Sequence, residues 1–209
     1  MNRTTENYIT AHSTAENPVL EELHRQTHIR FVNPNMSSGF IQGRLLEMIS
    51  RMIKPQHILE IGTFTGYSAI CLAMGLQAGG CLTTIEIDDE LRDFAHTFFV
   101  KAGVDSCIRQ ITGNALDVIP QLEATFDLVF IDGDKREYSD YYRTVIDRVK
   151  SGGFIIADNT LWGGKIADGC TADRQSRGIA EFNNMLIEQT NIENVIIPVR
   201  DGLSIIRKK

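Results

Sequence analysis

The chain has 209 residues, 43% hydrophobic and 23% charged, with a formal net charge of −6. That balance suits one globular domain with its own core, no apolar run approaches the ~20 residues that span a bilayer, and the acidic excess argues against broad phosphate-driven nucleic-acid binding. Cys71, Cys81, Cys107 and Cys170 form no C-x-x-C pair and the five histidines show no ligand spacing, so neither a disulfide framework nor a zinc site is expected. The N-terminal stretch MNRTTENYITAHSTAENP is polar and lacks the apolar segment of a signal peptide, so the expected compartment is the cytoplasm.

From Asn17 to about Met52 the pattern is helical. NPVLEELHRQTHIRF opens on an Asn-Pro start signal, and SSGFIQGRLLEMISRMI sets Phe40, Ile41, Leu45, Met48, Ile49 and Met52 along one expected face. The rhythm then changes. Strands are predicted over HILEIG, CLTTIEI, IRQITG, FDLVFID and GGFIIADN. Each is followed by a helix, over TGYSAICLAMGL, DDELRDFAHTFFVKAG, ALDVIPQLE, REYSDYYRTVIDRVK and RGIAEFNNMLIEQT. This alternation predicts a mostly parallel sheet with helices on both faces, and the strands are apolar throughout, as doubly covered strands should be. The last two strands, NVIIPV and LSIIRK, differ. About three residues separate Val199 from Leu203, too few for a crossover, so they must form an antiparallel hairpin.

Ligands of open α/β sheets bind beyond the carboxyl ends of the strands. After the first strand, Gly62 and Gly66 bracket a tight loop whose backbone can approach a ligand. The spacing is G-x-x-x-G, which disfavours both the dinucleotide fingerprint and a P-loop. Glu86 ends the second strand, where an acid can accept from ribose hydroxyls. Gly113, Asn114 and Ala115 follow the third; a turn explains them as well as a base contact does. Asp132 ends the fourth strand with Lys135 three residues on, and Asp158 and Asn159 end the fifth. Each of these has a plain reading alone: an Asx turn, a solvated strand end, a surface lysine. If the two strands are neighbours, ~4.8 Å apart, Asp132, Asp158 and Asn159 converge into an oxygen-only donor set. Such a set suits Mg²⁺, Mn²⁺ or Ca²⁺.

Several of these segments together resemble a known family. Gly62-Thr63-Phe64-Thr65-Gly66-Tyr67-Ser68, Glu86, FIDGDK, DNTLWGGKI and IIPVRDGLSI are similar to class I S-adenosylmethionine methyltransferases. More narrowly they resemble the cation-dependent O-methyltransferases of the caffeoyl-CoA and catechol type, from about Asn35 to Lys209. The resemblance implies a Rossmann-like α/β fold: a seven-stranded, mostly parallel sheet closed by the antiparallel hairpin. It implies an S-adenosylmethionine site lined by Met36, Gly62, Phe64, Ser68, Glu86, Asn114, Ala115 and Asp132. It implies a divalent cation, Mg²⁺ first and Mn²⁺ or Ca²⁺ next, on Asp132, Asp158 and Asn159, with Lys135 as general base. Trp162 becomes a candidate wall of the acceptor pocket. The implied acceptor is a small hydroxylated aromatic of catechol or caffeoyl type, the alternative a hydroxylated uridine in tRNA; a homodimer is implied, and no membrane partner. The chain reads as one domain, 1–209, in which residues 1–52 form a helical part that helps cover the acceptor site. It departs from the family in two places. Arg200 stands where the hairpin turn usually carries glycine, which could alter the turn or set a cation near a neighbouring subunit. Residues 1 to about 34 match weakly, and there the acceptor's identity falls into doubt.

Overall fold

The computed structural model describes residues 3–209; Met1 and Asn2, at the head of the polar N-terminal stretch, lie outside the described residues. Five strands, β1 (His57–Ile61), β2 (Cys81–Glu86), β3 (Ile108–Thr112), β4 (Phe126–Ile131) and β5 (Val149–Asp158), run parallel. The hairpin is β6 (Ile192–Ile197) and β7 (Leu203–Lys208), with β7 antiparallel to both β5 and β6. The order across the sheet is β3-β2-β1-β4-β5-β7-β6, so the expected seven-stranded sheet is what forms. β5 begins at Val149, earlier than the expected Gly152, because the chain bulges through Gly152, at φ +81°, before pairing resumes at Phe154.

Helices α2 (Pro18–Arg30), α3 (Gly39–Ile53), α4 (Tyr67–Ala73) and α5 (Arg92–Ala102) cover one face of the sheet. On the other lie α6 (Ala115–Val118), α7 (Tyr138–Val145) and α8 (Arg174–Glu188). Strand side chains alternate between the two cores: Leu128 and Phe130 join the first, Val129 and Ile131 the second. The Asn-Pro signal works as read: Asn17 Oδ1 accepts from Val19 N–H at 2.9 Å, with Pro18 opening α2. Among the described residues no helix is long and apolar enough to cross a membrane.

One expectation needs correction at the N-terminal end. Helix α1 (Arg3–Ala11) lies within the expected helical part but ahead of the Asn17 start; it is mostly exposed, so no apolar periodicity sets its bounds. In α3 the core face is not the expected apolar stripe. Met48 and Met52 are 51% and 72% exposed, and Leu45 is half-buried. The buried face is Gln42, Gly43, Leu46, Ile49 and Ser50. Small and polar groups select it. A Cβ on Gly43 would lie 2.4 Å from Tyr67 Cε1, and Ser50 Oγ donates to Leu72 O at 2.6 Å. α3 therefore lies close enough to α4 that only those residues fit between them.

Candidate active site

The loop after β1 is locked against the end of β4. Asp132 N–H donates to Ile61 O at 2.8 Å, and a Cβ on Gly62 would fall 2.3 Å from Asp132 O. Gly62 at φ +94° is thus required by contact as well as by conformation. Glu86, at the end of β2, pins the same loop: Oε2 accepts from Phe64 N–H at 2.7 Å, and Oε1 from Ile87 and Asp88 N–H at 2.9 and 3.1 Å. Phe64 has a left-handed φ of +48°, and its ring meets Phe31 edge-on at 5.8 Å. A narrow crevice opens here between Thr63, Phe64, Glu86, Leu91, Ile111 and Thr112. Asn114 follows the turn reading, since its Oδ1 caps α6 by accepting from Leu116 N–H at 2.9 Å. Ala115 is buried beside it. Met36 lies largely exposed in a short 3-10 turn, Pro34–Met36.

Beneath the glycine loop is a group that sequence reasoning passed over. Glu60 of β1 is fully buried. Ser68 Oγ donates to its Oε1 and Thr84 Oγ1 to its Oε2, both at 2.6 Å, and Thr63 and Thr84 hydroxyls lie 2.5 Å apart. Burial pushes the Glu60 carboxyl up to about 8 against the pull of those two hydroxyls, with the charges of Asp132 and Glu86 adding to the rise. Ser68, expected to line the cofactor, spends its hydroxyl proton on Glu60. The available signal was a lone carboxylate in the apolar run HILEI.

At β4 and β5 the structure brings the oxygen donors together. The strands are neighbours with Ile131 opposite Ala157, so Asp132 and Asp158 emerge side by side. Asp158 is 2% exposed. Its Oδ2 accepts from Gln42 Nε2 and its Oδ1 from Asn159 N–H, both at 2.7 Å. An Asx turn would instead engage the amide two residues on, but Thr160 N–H goes to Gly202 O. Burial first, then the neighbouring charge of Asp132, raises the Asp158 carboxyl to about 6. Asn159 adopts a left-handed φ of +57°. Lys135 is not a solvated surface lysine: it is 8% exposed, donates to Asp132 Oδ1 at 2.7 Å and Gly133 O at 3.1 Å, and lies 5.0 Å over the Tyr138 ring. No group of three His, Cys, Asp or Glu residues suited to a metal occurs among the described residues. The donor set here is two carboxylates with an adjoining amide, which suits a hard cation and no thiolate-seeking one.

Two contacts to this region come from far along the chain. Gln42 is 116 residues from Asp158. Arg200 turns back onto its own chain: its guanidinium donates to Asn35, Ser37 and Ser38 carbonyls. Within the chain, Arg200 thus forms an internal strap.

The family profile described as O-methyltransferase matches residues 10–209. The chain belongs to the O-methyltransferase family. Among this O-methyltransferase's relatives is a caffeoyl-CoA O-methyltransferase of Stellaria longipes, 31% identical over 204 residues, covering 92% of this chain and 84% of the relative. A catechol O-methyltransferase of Niastella koreensis is 34% identical over 168 residues, 78% of this chain and 76% of that one. Of solved structures, the O-methyltransferase TomG of Streptomyces achromogenes, described as involved in tomaymycin synthesis and in complex with SAM, superposes with a TM-score of 0.92. It is 30% identical and covers 99% of this chain and 96% of its own.

Proposed function

We propose that this protein is a divalent-cation-dependent O-methyltransferase that moves a methyl group from S-adenosylmethionine to one hydroxyl of a small catechol-like or caffeoyl-type aromatic. The observation that carries the reading is the meeting of Asp132 and Asp158 at adjacent strand ends, with Asn159 beside them and Lys135 bound to Asp132. Burial first and repulsion from Asp132 second hold Asp158 at about 6, and a hard cation held by these residues would relieve that repulsion. TomG is described as a complex with SAM, and the curated relatives are named for caffeoyl-CoA and catechol, which supports the same cofactor and acceptor class here.

In this reading Asp132, Asp158 and Asn159 hold the cation. Gly62, Phe64, Glu86 and Asp132 line the cofactor, with Met36 and Ala115 at its borders. Ser68 acts through Glu60, and Asn114 keeps its Nδ2 donor after capping α6. When bound, the cofactor supplies the methyl group and the cation stabilises the oxyanion of a phenol whose pKa is otherwise ~10. Lys135 Nζ would take the hydroxyl proton as a neutral amine; the ammonium now paired with Asp132 Oδ1 would first give one proton to solvent and leave that oxygen. A cation held by Asp132, Asp158 and Asn159 would orient an acceptor that carries vicinal oxygens. Trp162 and the 1–52 segment wall the acceptor side. A homodimer belongs to the same reading and is checked by solution light scattering.

The test supplies purified protein with S-adenosylmethionine, each of Mg²⁺, Mn²⁺ and Ca²⁺, and catechol, caffeoyl or tRNA acceptors, reading S-adenosylhomocysteine release. Release should require both a cation and a small aromatic acceptor, and Asp158→Ala should lower it by about 100-fold. An unchanged rate in Asp158→Ala, or in chelator, would refute the cation mechanism. Methylation of tRNA alone would refute the acceptor class.

A further inference from the structure

Arg200 occupies a backbone conformation that does not favour it. Its φ is +49°, in the left-handed region where glycine is preferred. The turn alone therefore gives no reason for arginine, and the side chain must be sought as the reason. One guanidinium nitrogen donates to Ser37 O at 3.0 Å and Ser38 O at 2.5 Å; the other reaches Asn35 O at 3.1 Å. The remaining hydrogen bonds of that segment are local, from Met36 N–H to Asn33 O and from Ser37 N–H to Pro34 O. The planar fork of a guanidinium suits several carbonyls at once, as a lysine ammonium on its flexible stem does not.

The same turn grips the other side of the site. Asp201 O accepts from Leu161 N–H at 2.7 Å and Trp162 N–H at 3.2 Å, and Gly202 O from Thr160 N–H at 3.1 Å. Those residues directly follow Asp158 and Asn159. The 35–38 segment in turn leads into α3, whose Gln42 holds Asp158 Oδ2. Residues 200–202 therefore brace Asp158 from both sides, by backbone through the 160–162 loop and by the Arg200 side chain through α3. Ser37 Oγ in the strapped segment and Gln42 Oε1 in α3 are buried without a protein partner.

We infer that Arg200 is a positioning residue: it fixes segment 35–38 and the start of α3 so that Gln42 and Met36 stand at their places beside the cation and cofactor. This rests on the reading given under Proposed function. The test compares wild type with Arg200→Gly and Arg200→Lys. Glycine relieves the left-handed backbone while deleting the strap, so the unfolding midpoint should hold or rise. The half-saturating Mg²⁺ and S-adenosylmethionine concentrations should rise about tenfold, with kcat at saturation falling much less. Lysine, which cannot hold three carbonyls together, should fall between. Hydrogen exchange of amides 35–46 should quicken in Arg200→Gly, a readout that needs no turnover. Unchanged half-saturating concentrations overturn the inference, as does unchanged exchange, or a lowered midpoint with unchanged kinetic constants. A wild type without cation-dependent turnover would instead defeat the functional reading, and the exchange comparison would still decide the strap.

Discussion

Glu60→Gln should make the protein more stable, and only at neutral to alkaline pH. The Glu60 carboxyl is fully buried and is raised from its ordinary 4.5 to about 8. The folded state thus holds a proton that the unfolded chain gives up near pH 4.5, and between those values the fold binds more protons than the unfolded chain. Stability contributed by protonated Glu60 is complete below about 4.5, declines as pH rises, and levels off above about 8. A gap of about 3.5 pH units at ~1.4 kcal/mol each amounts to on the order of 5 kcal/mol. Glutamine has no proton to lose. Its carbonyl can still accept from Ser68, and Thr84 can turn to accept from the amide and donate to Thr63, 2.5 Å away. The substitution should therefore be close to neutral at pH 4.5 and worth several kcal/mol at pH 8. Urea unfolding of both proteins, ligand-free, at half-unit steps from pH 4.5 to 8.5 measures the difference and cancels every other titrating group. A difference that stays constant across that range would refute the reasoning, and one that shrinks with pH would reverse its sign.

Gly43→Ala tests the packing of α3 on α4. Alanine gains ~1 kcal/mol of helix propensity, but its Cβ would lie 2.4 Å from Tyr67 Cε1 and 2.9 Å from Cys71 Sγ, so a net loss of about 1–3 kcal/mol is expected in thermal unfolding. Asp127→Asn tests a clasp at the opposite end of the sheet, where Oδ2 accepts from Gln56 and His57 N–H at 2.9 Å and Oδ1 from Lys150 Nζ at 2.7 Å. Burial works to raise this carboxyl, but Lys150 and the two amides outweigh it and hold it below its ordinary 3.8. Its stabilisation is present above that value and lost as pH falls through the lower folded one. The variant should therefore lose about 1–2 kcal/mol at pH 7 and match wild type in strong acid.

What the sequence made legible follows from local rules. Strand-helix alternation and apolar strands gave the parallel sheet, and a connection too short for a crossover forced the hairpin; it is five residues, 198–202, rather than the expected three or so, because β6 ends at Ile197. Asp132 and Asp158 could be read as one site because a crossover often sets the two strands it joins side by side, which it does for β4 and β5. Position within a strand hid Glu60: a single acid in an apolar run looks like a break in the pattern, and only burial with two hydroxyl donors reveals its state. α3 was misread for a related reason. Its helix turns Met48 and Met52 outward and buries Leu46 and Ile49 among Gln42, Gly43 and Ser50, and hydrophobic periodicity does not report the small and polar residues of that face.

The contacts least visible in the sequence are those that tie the N-terminal part to the site. Gln42 meets Asp158 across 116 positions and Arg200 meets Ser37 across 163. Neither has a spacing rule, because no single element contains both partners. Both bear on the segment that joins the N-terminal helices to the site. The 35–38 segment is held by Arg200, and α3 after it is tied to Asp158 through Gln42. On the proposed reading, changes in the helices before that segment would alter what faces the acceptor without moving the carboxylates that would hold the cation. On that reading, acceptor choice and cation geometry would be separable because the strap stands between them, and a variant that loosens the strap should couple the two.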